Sequence, residues 1–292
     1  MRILVLGARG RLASALARAW SASHDTVCLG RPELDVADIP ALRRLLEAQR
    51  FDLLVNGTGL TNVDACESRR DEARTVNAVA PAAMAAAARA QGARLIHFGT
   101  DYVFDGEKRE PYTEDDPARP LGWYGRTKLD GELAVLADSP AHLVVRVSWV
   151  FGPDKPSFPD QMIARARAGT DVAAISDKFS SPTHAPDVAA WLAPFFDPRL
   201  PGGLFHACNS GSCSWREYGR WALACAARRG IPLATTSVRP QLLADMKSFT
   251  ARRPLHSILS TDKLARITGI SPRPWRDALE EYITNAPIPP AA

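Results

Sequence analysis

A chain of 292 residues with 36 basic and 32 acidic side chains, 46% hydrophobic and 23% charged, can bury a sizeable core. Its ordinary apolar fraction and net charge of +4 exclude a disordered chain, and basic residues scattered among acids, without a run or stripe, exclude a dedicated nucleic-acid binder. The apolar run at 3–7 is too short for a signal peptide or a spanning helix, and no later stretch approaches ~18 apolar residues, so no membrane partner is expected.

In chain order, Arg2–Leu6 reads as a buried strand and 10–20 as a helix. Residues 26–29, 53–56, 94–98 and 143–147 read as further strands, and 39–49, 69–90 and 124–137 as helices. This alternation predicts an α/β fold with a doubly wound, Rossmann-like parallel sheet covered on both faces. From Phe151 on, the chain is richer in proline and loop residues, with helices expected near 187–196, 215–228 and 275–283. The expected organisation is a dinucleotide-binding domain over 1–150 and a smaller C-terminal substrate lobe over 151–292, some segments of which return to the first domain. The alanine-rich stretch 82–90 reads as a close helix contact, and a homodimer through 82–90 and 124–137 is compatible with the pattern. The five cysteines are odd in number and form no CxxC pair, which predicts reduced thiols and a cytoplasmic location. The histidines stand in no metal-ligand spacing, so no metal is expected.

GARGRLA (7–13) follows the first strand directly. Gly7 permits a tight turn and Gly10 lets the backbone approach a pyrophosphate. The helix opening through Arg11 and Leu12 points free amides at the anion. A strand-to-helix turn without ligand is the plain alternative. Arg9 lies inside this loop and Arg31 follows the second strand, near the place where an acid would accept a ribose hydroxyl of NAD. A guanidinium suits a 2′-phosphate, so NADPH is expected, with NADH as the alternative. Two solvated arginines would also explain the text, and Asp35 fits either the adenine edge or a surface turn.

Tyr124 and Lys128 are four apart on a predicted helix and share one face. A free phenol has a pKa of ~10, and a neighbouring ammonium is expected to lower it. The pair can then give a proton to a carbonyl oxygen as hydride reaches its carbon. The fourth strand ends in FGTDYVFDG (98–106), where the Thr100 hydroxyl can face the cofactor's reactive end.

A strand-tip Thr followed by YxxxK is the arrangement of the short-chain dehydrogenase/reductase superfamily, and the chain resembles the dTDP-4-dehydrorhamnose reductase family within it. The resemblance is carried by the glycine loop, TNVDACE (61–67), VNA (76–78), TDYVFDG (100–106), YGRTKLDGE (124–132), RVSWVFG (146–152), SPT (181–183), HACNSGSCSWRE (206–217) and RRPLHSILSTDKL (252–264). It implies NADPH-dependent reduction of the 4-keto group of a nucleotide sugar, dTDP-4-dehydro-L-rhamnose first. Another 4-keto-deoxysugar, a small ketone, or a non-catalytic NADP-binding regulatory subunit are the alternatives. By the same resemblance Tyr124 is the general acid, Lys128 binds the nicotinamide ribose, and Thr100 shares the charge developing on the ketone oxygen. Gly57 and Thr58 lie along the cofactor, and Asn77 helps place the lysine through water. Asp101, Tyr102, Trp149 and Arg253 form the substrate side, although Asp101 could be a turn former, Asn77 a helix hydrogen-bonding residue and Trp149 plain core. Related dehydratases carry Glu where Tyr102 stands, so dehydration is disfavoured. Ala13 replaces a common glycine and Leu60 a frequent aromatic residue. Ala15 replaces the acid of a metal-linked dimer, so that metal site is not expected.

Overall fold

The computed structural model describes residues 1–286; the last part of the expected substrate lobe, 287–292, lies outside the described residues. The strands β1 (Arg2–Leu6), β2 (Asp25–Leu29), β3 (Leu53–Asn56), β4 (Arg94–Thr100), β5 (Leu143–Val147) and β6 (Gly203–His206) form a parallel sheet in the order β6-β5-β4-β3-β1-β2. Strand side chains alternate between faces, and the apolar runs serve both faces at once. Ile3, Val5, Leu53, Val55, Ile96, Phe98, Leu143 and Val145 join one core, together with residues of α1 (Arg11–Trp20) and α8 (Ala185–Leu192). Leu4, Leu6, Leu54, Leu95 and Val144 join the other, beneath α2 (Ile39–Ala48), α5 (Ala80–Ala90) and α6 (Trp123–Asp138). This is the doubly wound α/β architecture. The strand order reverses between β1 and β3, and the crevice beyond their carboxyl ends is where such sheets place a ligand.

The helix expected over 69–90 is broken. Asn62 accepts a hydrogen bond from the Ala65 amide and caps a separate α3 (Val63–Ser68). Then follow α4 (Arg70–Arg74), a π-helical turn at Thr75–Val79, and α5. The wide turn projects Asn77 onto the loop after β3, where it bonds both backbone groups of Leu60. The alanine-rich helix packs between α2 and α6 within the chain.

Phe151 and the helices α7 (Phe158–Arg167), α9 (Trp215–Arg228) and α11 (Trp275–Asn285) enclose a third core, away from the sheet, of Met162, Ile163, Tyr218, Leu223, Trp275 and Leu279. A Ser214–Glu217 capping box opens α9. The short strand Phe179–Ser180 lies between Cys213–Ser214 and His256–Ser257, which carries residues of this region up to the tip of β4. β6, α7 and α10 (Asp262–Thr268) were not expected. β6 is only four residues long, with glycine at its start, and its core-facing Phe205 gives no alternation to read. Among the described residues no helix is long and apolar enough to cross a membrane, and the five cysteines are unpaired thiols.

Asp187 on α8 accepts hydrogen bonds from His184 (3.0 Å), Asn209 (2.8 Å) and Arg273 (2.8 Å from both Nε and Nη2). Burial pushes this carboxyl up, but bonds from His184, Arg273 and Asn209 outweigh it and hold it well below the usual carboxylate range. Asp187→Asn is expected to cost about 2–3 kcal/mol at pH 7, less than a fully buried pair because Arg273 is partly exposed. A depressed folded pKa gives stability that is complete above the unfolded value of ~3.9 and lost as pH falls through the folded one. Urea unfolding should therefore show a wild type–variant gap that is constant from about pH 5 to 7 and narrows below about pH 4. A gap that widens on acidification contradicts this assignment.

Candidate active site

The crevice at the strand-order reversal is lined by Gly7, Arg9, Gly10, Arg31, Asp35, Gly57 and Thr58, all expected along a dinucleotide, and by Lys155, which was not. Gly7 has φ 77°, and a Cβ there would stand 2.8 Å from the Gly57 backbone, so only glycine permits this turn. The Gly10 amide is bonded to Gly7 O, and the helix that follows leaves its first-turn amides without intrahelical acceptors. An open glycine floor, helix amides and three cations fit a dinucleotide diphosphate. Leu12 packs partly against the core and is not among the residues that line the crevice. The Arg11 guanidinium points elsewhere, donating to the carbonyls of Val150 (2.9 Å), Lys155 (3.1 Å) and Pro156 (2.8 Å). Its side chain thus pins the loop after β5 to α1.

Acids accompany the two arginines, and Glu33 and Glu72 among them were missed from the sequence. Glu33 accepts from the Gly30 amide (2.8 Å) and from Arg9 (3.2 Å). Arg31 stands 3.7 Å from Asp35 and 4.0 Å from Glu72. Both guanidinium side chains are more than half exposed, so these pairs are weak and can be exchanged for a phosphate.

At the tip of β4, the Thr100 hydroxyl lies near the phenol of Tyr124 and favours its ionised form, so the strand-tip alcohol and the helix phenol converge, while the Thr100 O–H itself is donated to Asp101 at 3.2 Å. The Tyr102 amide donates to Thr100 Oγ1 at 3.2 Å. Burial pushes the Tyr124 phenol above its usual value, and the neighbouring Thr100 hydroxyl offsets only part of this. That corrects the expected acidification by Lys128. The ammonium is directed at the Phe98 carbonyl (2.6 Å) instead of the phenol. Burial pushes Lys128 down to about 8, against the pull of Glu132. Near neutrality Tyr124 therefore holds its proton, the form that a proton donor needs. Asn77 is nearby but occupied: besides Leu60, it donates to Thr127 Oγ1 at 3.2 Å. It fixes the Gly57–Leu60 loop against α6 rather than touching Lys128.

The substrate-side residues are placed unevenly. Asp101 is buried, accepting hydroxyl bonds from Thr100 (3.2 Å), Ser180 (3.1 Å) and Ser257 (2.6 Å). It is a structural hub and presents no free carboxylate to a sugar. Arg253 is bonded to Asp64 through both carboxylate oxygens and lies over the Phe249 ring at 3.6 Å. Its guanidinium holds the Asp64 carboxyl well below the usual range. Tyr102 meets Tyr124 edge-on at 5.6 Å and has no basic group to remove a carbon-bound proton. Trp149 takes φ 42°, a strained value for a non-glycine residue, and its buried indole N–H has no partner among the described residues. With Trp215, Phe158 and Tyr218 it lines a small aromatic pocket. Lys178, missed from the sequence, is fully buried with Nζ 2.7 Å from Pro254 O and 5.0 Å from the Tyr102 ring centre. Among the described residues no cluster of three His, Cys, Asp or Glu could hold a metal ion.

Comparison with known proteins agrees with this geometry. The family model described as "RmlD substrate binding domain" matches residues 1–287. The chain belongs to this RmlD family. Within it, the chain is 35% identical to dTDP-4-dehydrorhamnose reductase of Burkholderia thailandensis, covering 96% of this chain and 97% of the relative. It is 37% identical to a probable dTDP-4,6-dihydroxy-2-methyloxan-3-one 4-ketoreductase of Streptomyces antibioticus, covering 96% and 94%. A dTDP-4-dehydrorhamnose reductase from Bacillus anthracis, solved in complex with NADP, superimposes with a TM-score of 0.90 at 26% identity, over 98% of this chain and 99% of that one.

For this RmlD-family chain, replacing Arg9 and Arg31 together by Ala is expected to weaken NADPH binding at least about tenfold, and NADH binding no more than about twofold. Titration by nicotinamide fluorescence reads both. Equal losses would show that the arginines do not recognise a 2′-phosphate.

Proposed function

We propose that the protein reduces the 4-keto group of a nucleotide sugar with NADPH, converting dTDP-4-dehydro-L-rhamnose to dTDP-L-rhamnose. The observation that carries this reading is the convergence of the Thr100 hydroxyl and the Tyr124 phenol at the tip of β4, with the ammonium of Lys128 one turn further along the same helix. NADPH, when bound, supplies the hydride. The crevice residues Gly7, Gly10, Gly57 and Thr58 and the α1 amides hold the dinucleotide, while Arg9 and Arg31 meet its 2′-phosphate. Tyr124 presents a protonated phenol to the ketone oxygen and releases that proton as negative charge grows there. Thr100, whose oxygen accepts from the Tyr102 amide, turns its O–H from Asp101 to the same oxygen. Lys128 orients the nicotinamide ribose and supplies positive charge beside the phenol. Trp149 and Tyr102 offer aromatic faces to the sugar, with Lys178 behind them.

A second reading, reduction of another 4-keto-deoxysugar, draws on the named activity of the Streptomyces relative and on Asp101 and Arg253, which are engaged within the protein. A non-catalytic subunit accords poorly with an intact Thr100–Tyr124 pair. Five unpaired thiols accord with a cytoplasmic setting. A homodimer also belongs to this proposal, since Val79 and Leu133 leave apolar side chains exposed beside α5 and on α6.

Purified protein with enzymatically prepared dTDP-4-dehydrorhamnose should consume NADPH, followed at the reduced-nicotinamide absorbance. Tyr124→Phe is expected to lower kcat by about 10²–10⁴-fold while leaving NADPH affinity within about twofold. If wild-type protein binds NADPH but oxidises it with neither this sugar nor related 4-keto sugars, the catalytic reading fails.

A further inference from the structure

Glu132 belongs to neither the cofactor crevice nor the substrate side, yet it is among the most deeply buried charges in the chain. It stands one turn beyond Lys128 on α6. Its Oε2 accepts from Arg146 Nε (2.9 Å) and Nη2 (2.8 Å), and its Oε1 accepts from the Thr100 amide (3.3 Å). Arg146 lies on β5 directly opposite Gly99 in the parallel register, with its guanidinium 5.1 Å from the Phe104 ring centre. A Cβ on residue 99 would overlap Glu132 Oε1, so the glycine before Thr100 is required by this carboxylate. One side chain therefore joins the helix that carries Tyr124 and Lys128 to the strand tip that carries Thr100.

We propose that Glu132 is a positioning residue for the reduction: it fixes Thr100 against α6 and supplies the counter-charge that keeps Lys128 an ammonium inside the protein. The groups around Lys128 make Glu132 the decisive partner. From α6 itself come Tyr124 and Glu132, from α3 the Cys66 thiol, from β4 the His97 imidazole, and from β5 Arg146 beyond Glu132. Burial pushes Cys66 up to about 11, so it is a neutral thiol near pH 7. Burial pushes His97 well below its usual value, so it too is neutral. Tyr124 holds its proton. Glu132 is then the carboxylate that opposes the loss of the Lys128 proton, and Arg146 neutralises what remains of its charge. A desolvated ammonium without such a partner titrates in the neutral range.

The inference rests on Lys128 meeting the cofactor, as proposed above, but not on the identity of the sugar, so binding rather than turnover is measured. NADPH affinity of wild-type protein, titrated by fluorescence from pH 6 to 9.5, should weaken above a break near pH 8, where Lys128 loses its proton. Glu132→Gln keeps an acceptor for the Thr100 amide and removes the charge. Its break is expected about one pH unit lower, with affinity equal to wild type at pH 6 and about tenfold weaker at pH 9. Because this variant leaves Arg146 buried without a partner, Glu132→Gln with Arg146→Met is measured beside it. The double variant should regain thermal stability yet retain the lowered break. An unmoved break in either folded variant overturns the proposal, as does a double variant whose break returns to the wild-type position. Wild-type protein that does not bind NADPH would instead overturn the cofactor reading itself, and this inference with it.

Discussion

The structure depends on how closely one helix can lie against one strand. α6 brings Tyr124, Lys128 and Glu132 to the tip of β4 on successive turns, and each touches a different part of that strand. Tyr124 meets the Thr100 hydroxyl, Lys128 the Phe98 carbonyl, and Glu132 the Thr100 amide. Glycine at 99 keeps the strand side of this contact clear. Elsewhere a parallel sheet needs only apolar runs, but here polar groups are buried and nearly all need partners, with Arg146 Nη1 and His97 Nε2 left without one among the described residues. Function sits where that demand is hardest to satisfy.

The same contact explains why the phenol behaves differently from what i, i+4 spacing suggests. Spacing places Lys128 on Tyr124's face of the helix, but it does not say which acceptor the ammonium takes. The ammonium donates to the Phe98 carbonyl at 2.6 Å, and burial dominates the phenol and keeps it loaded with its proton. For a reaction written as reduction, a loaded donor is the useful state. The charge supply then falls to the lysine and its surroundings.

The sequence was most legible where one force decides. β1, β3 and β5 are dominated by apolar residues, with Arg146 the one charge inside β5, and their bounds could be read directly from the text. Gly7 and Gly10 were legible because a turn and an anion both need the same missing side chain. The break in 69–90 was not, since the π turn answers to Leu60, seventeen residues earlier than Asn77. Asp101 was read as a sugar contact because its hydroxyl donors Ser180 and Ser257 lie 79 and 156 residues away and only the fold brings them together. Glu33 and Lys155 escaped for the same reason, being ordinary surface-type residues until the crevice forms around them. Glu132 left one trace, a glycine placed before the strand-tip threonine in an otherwise β-forming run.

Arg11 gives the two halves of the molecule a shared mechanical element. Its backbone begins the helix whose amides face the dinucleotide crevice, while its side chain grips the segment that follows Trp149, and Arg18 pairs with Asp154 one loop further on. The first turn of α1 and the segment that follows the indole are thus held to one another. Thermodynamic linkage makes such a bond symmetrical. Whatever occupancy at one end does to affinity at the other, the reverse effect has equal size, so the order in which two ligands arrive changes the route and never the total.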